Sequence, residues 1–451
     1  MKKSIVALLS VGTFASQADL VKASASATAD KPNILLMLVD DLGWGDLSCQ
    51  YAKDVQTPNL DKLFNAGVRM DNFYANSSVS SPSRAALMTG RFPDMVGVPG
   101  VIRTDHENSW GYFMPTAITL PTMLKKAGYR TAHVGKWHLG LESPSLPNER
   151  GFDFFHGFLG DMMDDYYTHL RHGNNYMRLN REVIEPQGHA TDIFSDWASD
   201  YIKENASKRE PFFLYLAYNA PHNPVQPPEE WFEKVKAREA GISEKRAKLV
   251  ALIEHLDDGV GRVIKTLQET RQMDNTLIIF SSDNGGALDM GANNGPVRGT
   301  KQEMYEGGIK VVGAFYLKGV IDGGRRSSNV AMLADIFPTL CDLVSIPVPH
   351  EIDGISILPS LKGEEQNTGD RIMYWIRREG GNSVGMAQHA VRYRDYKLLH
   401  NTPFEPLQMF NLKEDPLEAN PLEKRSDMYS RLNKAMRLRI QAAGSVPWEK
   451  K

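Results

Sequence analysis

The strongest constraint on the fold is the segment Asn33-Ile-Leu-Leu-Met-Leu-Val39, apolar at every position after Asn33, which stops at Asp40-Asp41. It shows no alternation, so it predicts a central strand covered on both faces, the kind found in parallel sheets with helical crossovers. The same texture returns at 130–134, 212–217, 276–280 and 311–317. Helical patterns fall between these runs. One follows Thr57-Pro58, with Leu60, Leu63 and Phe64 on one face; others cover 82–89, 120–126, 192–204 and 243–269, and the apolar stretch 330–344 also reads as a helix. Strands alternating with helices predict an α/β domain, a large mostly parallel sheet sandwiched by helices. Beyond residue 371 short strand candidates at 372–376, 390–394 and 396–399 precede an amphipathic helix at 428–442. This predicts a smaller C-terminal α+β subdomain of antiparallel strands and one helix. The polar stretch 362–370 marks the boundary, giving a larger domain over 30–365 and a subdomain over 366–451.

Ligands of such sheets collect beyond the carboxyl ends of the strands. Asp40-Asp41, the segment around His222 and Ser282-Asp283-Asn284-Gly-Gly286 all lie just past a strand end. Three carboxylates and an amide form a hard oxygen-donor set of the kind calcium prefers, although each short motif alone is also a turn former. Ser80-Ser-Pro82-Ser-Arg84 places Ser80 at a helix N-terminus, where free N–H groups favour an anion, and Arg84 one turn in can clamp it. In Gly135-Lys136-Trp137-His138-Leu-Gly140, Lys136 and His138 can both face one ligand. His222, in Pro221-His222-Asn-Pro224, is a candidate acid or base, and Lys301 follows the second acidic motif.

Together these stretches resemble the type I sulfatases of the alkaline-phosphatase-like superfamily, bacterial carbohydrate sulfatases among them. Ser80-x-Pro-Ser-Arg84 followed by Leu87-Met-Thr-Gly90 is similar to the family's maturation signature, and Gly135-Lys136-Trp137-His138-Leu-Gly140 to a second one. Gly151-Phe-Asp153, Asp335-Ile-Phe-Pro-Thr339 and Asn411-Leu-Lys-Glu-Asp415-Pro416 are weaker echoes. The resemblance implies hydrolysis of a sulfate ester by formylglycine, an aldehyde made from residue 80 whose hydrate attacks sulfur and later expels sulfate. It implies one Ca2+ held by Asp40, Asp41, Asp283, Asn284 and position 80. It gives Arg84 and Lys136 the stabilisation of the diol and sulfate, and His138 the role of base. His222 would protonate the leaving alcohol, with Lys301 assisting and binding sulfate. Because position 80 is Ser, a radical-type anaerobic sulfatase-maturing enzyme is implied as a partner. Lys310 and Val312 depart from the Arg and Pro of many relatives, away from this chemistry.

Asn294-Gly-Pro296 resembles the branch with arylsulfatase A and galactosamine-sulfate sulfatases, which favours sulfated galactose or N-acetylgalactosamine. Candidate sugar contacts lie in 161–172, at Asp164, Asp165, Tyr166, Tyr167, His169 and Arg171, and in the subdomain at Trp375, Arg377 and Arg378. Two other readings stay open: a phosphomonoesterase or phosphodiesterase of the same superfamily, and a non-catalytic protein that binds sulfated glycans. The first commonly needs two zinc ions and more His ligands, and the second would not need Ser80, His138 and His222 together.

The charged start at Lys2-Lys3, the short apolar run 5–14 and the small residues after it read as a signal peptide over 1–26, predicting a periplasmic or secreted enzyme without a stable membrane anchor. A net charge of −3 argues against a nucleic-acid partner. The two cysteines, Cys49 and Cys341, are expected to be free thiols rather than a disulfide.

Overall fold

A computed structural model describes residues 31–380, 386–424 and 426–450. The signal-peptide reading of 1–26 lies outside them. The chain opens with β1 (Asn33–Val39), a helix (Pro58–Ala66), β2 (Val68–Tyr74) and the helix Ser80–Thr89. It continues through β3 (Arg130–Lys136) and β4 (Phe154–Phe158) to four short strands, β5 (Leu170–Arg171), β6 (Asn174–Asn175), β7 (Met177–Leu179) and β8 (Glu182–Val183). A helix (Ala190–Asn205), β9 (Phe212–Ala217), a long helix (Glu244–Glu269) and β10 (Thr276–Ser282) follow. Three further strands, β11 (Lys310–Val311), β12 (Gly313–Tyr316) and β13 (Arg325–Met332), complete the large sheet. Its order is β11-β2-β12-β10-β1-β9-β3-β4-β7-β8, with β13 on β2.

The centre of that sheet is parallel. Met37 of β1 lies beside Phe280 of β10 and Leu216 of β9, and β3 runs parallel to both β9 and β4. The flanks are antiparallel, at β12 on β10 and β7 on β4. Both faces are covered, as the unbroken apolar runs require. Leu35, Met37 and Val39 enter one apolar layer, and Ile34, Leu36 and Leu38 enter the other. Since β1, β3, β9 and β10 run the same way, Asp40, Lys136, the loop after Ala217 and Asp283 all emerge at one edge.

The smaller sheet is antiparallel, in the order β14 (Met373–Glu379), β15 (Met386–Tyr393), β16 (Tyr396–His400) and β17 (Gln408–Asn411), and the helix Asp427–Ala443 covers it. It packs on the large sheet through a third apolar cluster that joins Tyr74 and Met332 to Tyr374 and Trp375.

The structure corrects one helix. The stretch 330–344 is the end of β13, a single turn (Leu333–Asp335) and a short helix (Ile336–Leu343). The first half of β13 is polar and alternates in exposure, which hid it, while its buried end runs directly into the helix. Cys49 and Cys341 are free, and burial pushes both thiols up to about 12. Among the described residues no helix is long and apolar enough to cross a membrane.

Candidate active site

β1 delivers Asp40 and Asp41 to the sheet edge, and Asp41 sits in the left-handed region at φ 65°. Its amide donates to Asp283 Oδ1 at 3.3 Å, and Asn284 Nδ2 donates to Asp41 Oδ1 at 2.7 Å. The two acidic motifs, far apart in the chain, thus form one buried cluster. The helix Ser80–Thr89 starts against it. No side chain caps that helix start, so its first N–H groups remain available. The Ser80 hydroxyl lies 3.0 Å from Asp40 Oδ1 and hydrogen-bonds Asp283 Oδ2.

Cations surround the carboxylates. Arg84 donates to Asp283 Oδ2 from Nε at 3.1 Å and Nη2 at 2.8 Å, while Nη1 reaches Tyr215 at 3.4 Å. Lys136, fully buried at the end of β3, hydrogen-bonds Asp40. The turn to His138 depends on Gly135, at φ 100°, where a Cβ would lie 1.9 Å from the carbonyl oxygen of Ala217. Lys301 donates to Asp41 Oδ2 at 2.6 Å and to His222 Nε2 at 3.1 Å.

The histidines' tautomers follow from their partners. His138 Nε2–H donates to the Ile102 carbonyl at 2.9 Å, leaving Nδ1 a buried lone pair without a partner among the described residues. His222 Nδ1–H donates to the Asn223 carbonyl at 2.7 Å, so Nε2 accepts from Lys301. Burial holds His138 well below the ordinary histidine range, and the neighbouring Lys136 and Arg84 add to this. Burial and then Lys301 lower His222 as well. Burial alone would raise Asp40, but Lys136, then His222, Arg84 and Lys301, outweigh it and hold Asp40 well below the carboxylate range. Asp283 is pushed up to about 6, by burial first and by Asp40 next.

Ser80, His138, His222, Lys301 and Arg377 line one cavity of about 210 Å³. Of the candidate sugar contacts, Arg171 and Arg377 reach it, and so does Asp161. The others serve the structure around it. Asp164 pairs with Arg171 at 2.7 Å, and Asp165 accepts the amides of Tyr167 and Thr168, each at 2.8 Å. Tyr166 is buried and donates to the His222 carbonyl at 2.9 Å. Tyr167 is exposed with its ring against His189, outside the cavity lining. His169 is buried and bonded to the Gly188 carbonyl at 3.0 Å, and Trp375 is a core residue donating to the Ala75 carbonyl at 2.7 Å. Arg378 lies over the Trp448 ring instead. Asp164, Asp165, Tyr166, Tyr167, His169, Trp375 and Arg378 thus lie outside the lining of this cavity, whereas Arg171 and Arg377 form part of it.

Sequence reasoning missed Arg103, Gln302 and Met162, which also line the cavity. Arg103 lies on a loop with no motif, whereas Met162 falls within the stretch 161–172 and Gln302 adjoins Lys301. A second cluster of metal-ligating types, His189, Asp192 and His255, lies elsewhere. Its donors are engaged: Arg262 holds Asp192 at 2.6 Å, and His189 accepts the Thr191 amide at 3.2 Å.

The sulfatase family model matches residues 32–346, and the C-terminal model of N-sulphoglucosamine sulphohydrolase matches residues 300–444. Human N-acetylgalactosamine-6-sulfatase is 32% identical over 395 residues, covering 82% of this chain and 73% of that protein. An uncharacterized sulfatase of Escherichia coli, YdeN, is 31% identical over 403 residues, covering 78% and 69%. The crystal structure of Ps i-CgsB in complex with k-i-k-neocarrahexaose superposes with a TM-score of 0.85 at 31% identity, over 94% of this chain and 95% of that one. With an edge that gathers Ser80, four acidic and amide groups and their cations, the chain belongs to the type I sulfatases of the alkaline-phosphatase-like superfamily and is a sulfuric ester hydrolase.

Proposed function

We propose that the protein releases inorganic sulfate from an O-sulfate ester on a sugar of a sulfated glycan, galactose or N-acetylgalactosamine being favoured. One observation carries this reading: Ser80 stands at an uncapped helix start, against Asp40 and Asp283, in a cavity it shares with His138, His222 and Lys301. The sugar preference is supported by the likeness to human N-acetylgalactosamine-6-sulfatase, and a glycan substrate by the likeness to Ps i-CgsB in complex with k-i-k-neocarrahexaose.

The donor set fits a single calcium ion. Asp40, Asp41, Asp283 and Asn284 offer oxygen ligands, and Asn284 Oδ1 is buried without a partner among the described residues. Burial first and repulsion from Asp40 next raise Asp283, and a divalent cation would offset both. Bound there, calcium would polarise a sulfate oxygen and the nucleophile. Oxidation of Ser80 to formylglycine by a maturing enzyme would supply the reversible nucleophile that a plain alcohol cannot.

The chain's own residues do the rest. Arg84 holds position 80 and Asp283 in register through its forked contact. Lys136 and Lys301 neutralise the sulfate's charge in a desolvated pocket, where such stabilisation is strongest. His138 Nδ1, kept neutral, is the base at position 80. A proton held between Lys301 Nζ and His222 Nε2 goes to the leaving alcohol. Asp161 and Arg171 contact the sugar. The reading of residues 1–26 as a signal supports a periplasmic or secreted location.

The test is co-expression with an anaerobic maturing enzyme, peptide mass analysis across residue 80, and free-sulfate assay on position-defined sulfated galactose and N-acetylgalactosamine. A peptide lighter by two hydrogens and sulfate release on the panel are expected. Full activity from a protein whose Ser80 is unmodified would overturn the mechanism.

A further inference from the structure

Two guanidinium groups in the Ser80 cavity, Arg103 and Arg377, stand apart from the acidic cluster that Arg84, Lys136 and Lys301 neutralise. Both are held by one carboxylate. Glu379 Oε2 accepts from Arg103 Nη2 at 3.1 Å and from Arg377 Nη2 at 3.0 Å. Glu379 Oε1 accepts the Val101 amide at 3.1 Å, so β14 ties down the loop that carries Arg103. Arg377 is only 4% exposed, and its Nε has no partner among the described residues. Two positive groups on one carboxylate leave excess positive charge facing the cavity. Arg171 differs, because Asp161 at 3.2 Å and Asp164 at 2.7 Å already surround it. Arg377 is buried and Arg103 half-buried beside it, and a buried guanidinium that shares its only carboxylate is costly unless an anion completes it.

Arg103 also borders a second cavity of about 390 Å³, whose lining includes Trp110, Tyr112 and Trp448 and the carboxylates Glu107, Glu142 and Glu449. Arg103 thus lines both cavities, and the larger one has space for a neighbouring ring.

We propose that Arg103 and Arg377, clamped by Glu379, recognise a second anionic group on the sugar adjoining the one that loses its sulfate, and that the substrate is a multiply charged oligosaccharide continuing past Arg103. This rests on the reading that the scissile sulfate sits at Ser80. The anion's chemistry is that of a planar or tetrahedral oxyanion able to accept a forked guanidinium, a sulfate or a uronic carboxylate.

Calorimetry on the unmodified Ser80 protein tests it with three disaccharides. One carries a single sulfate on its terminal galactose, one adds a sulfate to the adjoining sugar, and one has a uronic acid there instead. Tighter binding of a doubly charged ligand by about tenfold or more is expected, and which of the two gains identifies the anion. Arg103→Gln and Arg377→Gln should remove that preference, while Arg103→Lys, which keeps the charge, should recover part of it. Equal affinities for all three ligands in the wild type would overturn the proposal, as would an undiminished preference in both glutamine variants. Turnover of a small aryl sulfate by the matured enzyme is measured in parallel. Its absence would sink the sulfatase chemistry at Ser80 and the proposal with it, whereas turnover with equal affinities would sink the proposal alone.

Discussion

Arg84 meets Asp283 through two nitrogens and also reaches Tyr215 and the Lys136 carbonyl at 3.4 Å, a geometry that a lysine cannot copy. Arg84→Lys keeps the charge but loses the fork, so kcat should fall by about a hundredfold or more with a smaller change in KM. Steady-state kinetics on the matured enzyme checks this, and wild-type kcat would refute the positioning role. At the same scale, removing the divalent ion should do more than stop turnover. Asp40, Asp41 and Asp283 are buried together, and burial and Asp40 already push Asp283 up to about 6. An ion that binds only the folded state at a hundred times its Kd stabilises it by about 2.7 kcal/mol. Chelation should therefore lower Tm and abolish activity, and added calcium should restore both. An unchanged melting curve would argue against a resident ion. These residues were legible because each sits directly after an apolar strand or at a helix start. Arg103 was not legible, because its place depends on Glu379 of the smaller sheet, 276 positions away.

Elements whose pattern is unbroken were read to within a few residues: β1 and β9 match the apolar runs, and the long helix Glu244–Glu269 follows its Ser243 cap. Elements whose character comes from their neighbours were missed. β2 is a strand because β12 and β13 flank it, and its sequence Val-Arg-Met-Asp-Asn-Phe-Tyr alternates only at its start. β17 is four residues long and owes its pairing to β16. β3 shows how tightly one element is built. Gly135→Ala would drive a Cβ into the Ala217 carbonyl oxygen at 1.9 Å, breaking the β3–β9 ladder that aims Lys136 and His138. A loss of about 3 kcal/mol or more is expected by denaturant unfolding, with activity lost at least in proportion. The short turn Pro93–Val96 gives a pH prediction. Asp94 is buried there, and desolvation pushes its carboxyl up to about 7, with Asp353 adding to this and Tyr374 opposing it. The folded state thus binds the proton more tightly than the unfolded chain, whose value is near 3.8. The contribution is full below that value and is lost as pH rises through about 7. Asp94→Asn should remove this slope and raise stability at neutral pH by on the order of 2–4 kcal/mol. Parallel pH–Tm curves for the two proteins would reject the assignment.

At the scale of the whole molecule, the boundary near 365 read from the sequence divides two textures that are joined by buried contacts. The smaller sheet completes the larger one's interior. Lys397 of β16 is fully buried between Glu306 and Glu418, each at 2.9 Å. Arg392 donates to the Tyr74 hydroxyl at 2.7 Å, Trp375 to the Ala75 carbonyl at 2.7 Å, and Ser77 to the Ile376 carbonyl at 2.7 Å. Arg371 holds Asp335 from the far side of the boundary at 2.7 Å. Cutting at 365 would strip Lys397 from Glu306 and Arg371 from Asp335, both buried carboxylates, and would expose the third apolar cluster. A chain ending there should therefore aggregate or stay unfolded rather than survive as a smaller enzyme. Lys397→Met is the sharper version of the same argument, because it deletes one atom group at the join and keeps its volume. Glu306 and Glu418 would then face each other without the ammonium between them, keeping the Tyr74 hydroxyl on Glu306 and the Glu306 amide on Glu418, and a cost of about 3–5 kcal/mol is expected. The loss should appear in one cooperative transition that takes both sheets down together. Two separated melting steps in Lys397→Met, or a soluble and folded 31–365 fragment, would show instead that the large sheet stands by itself.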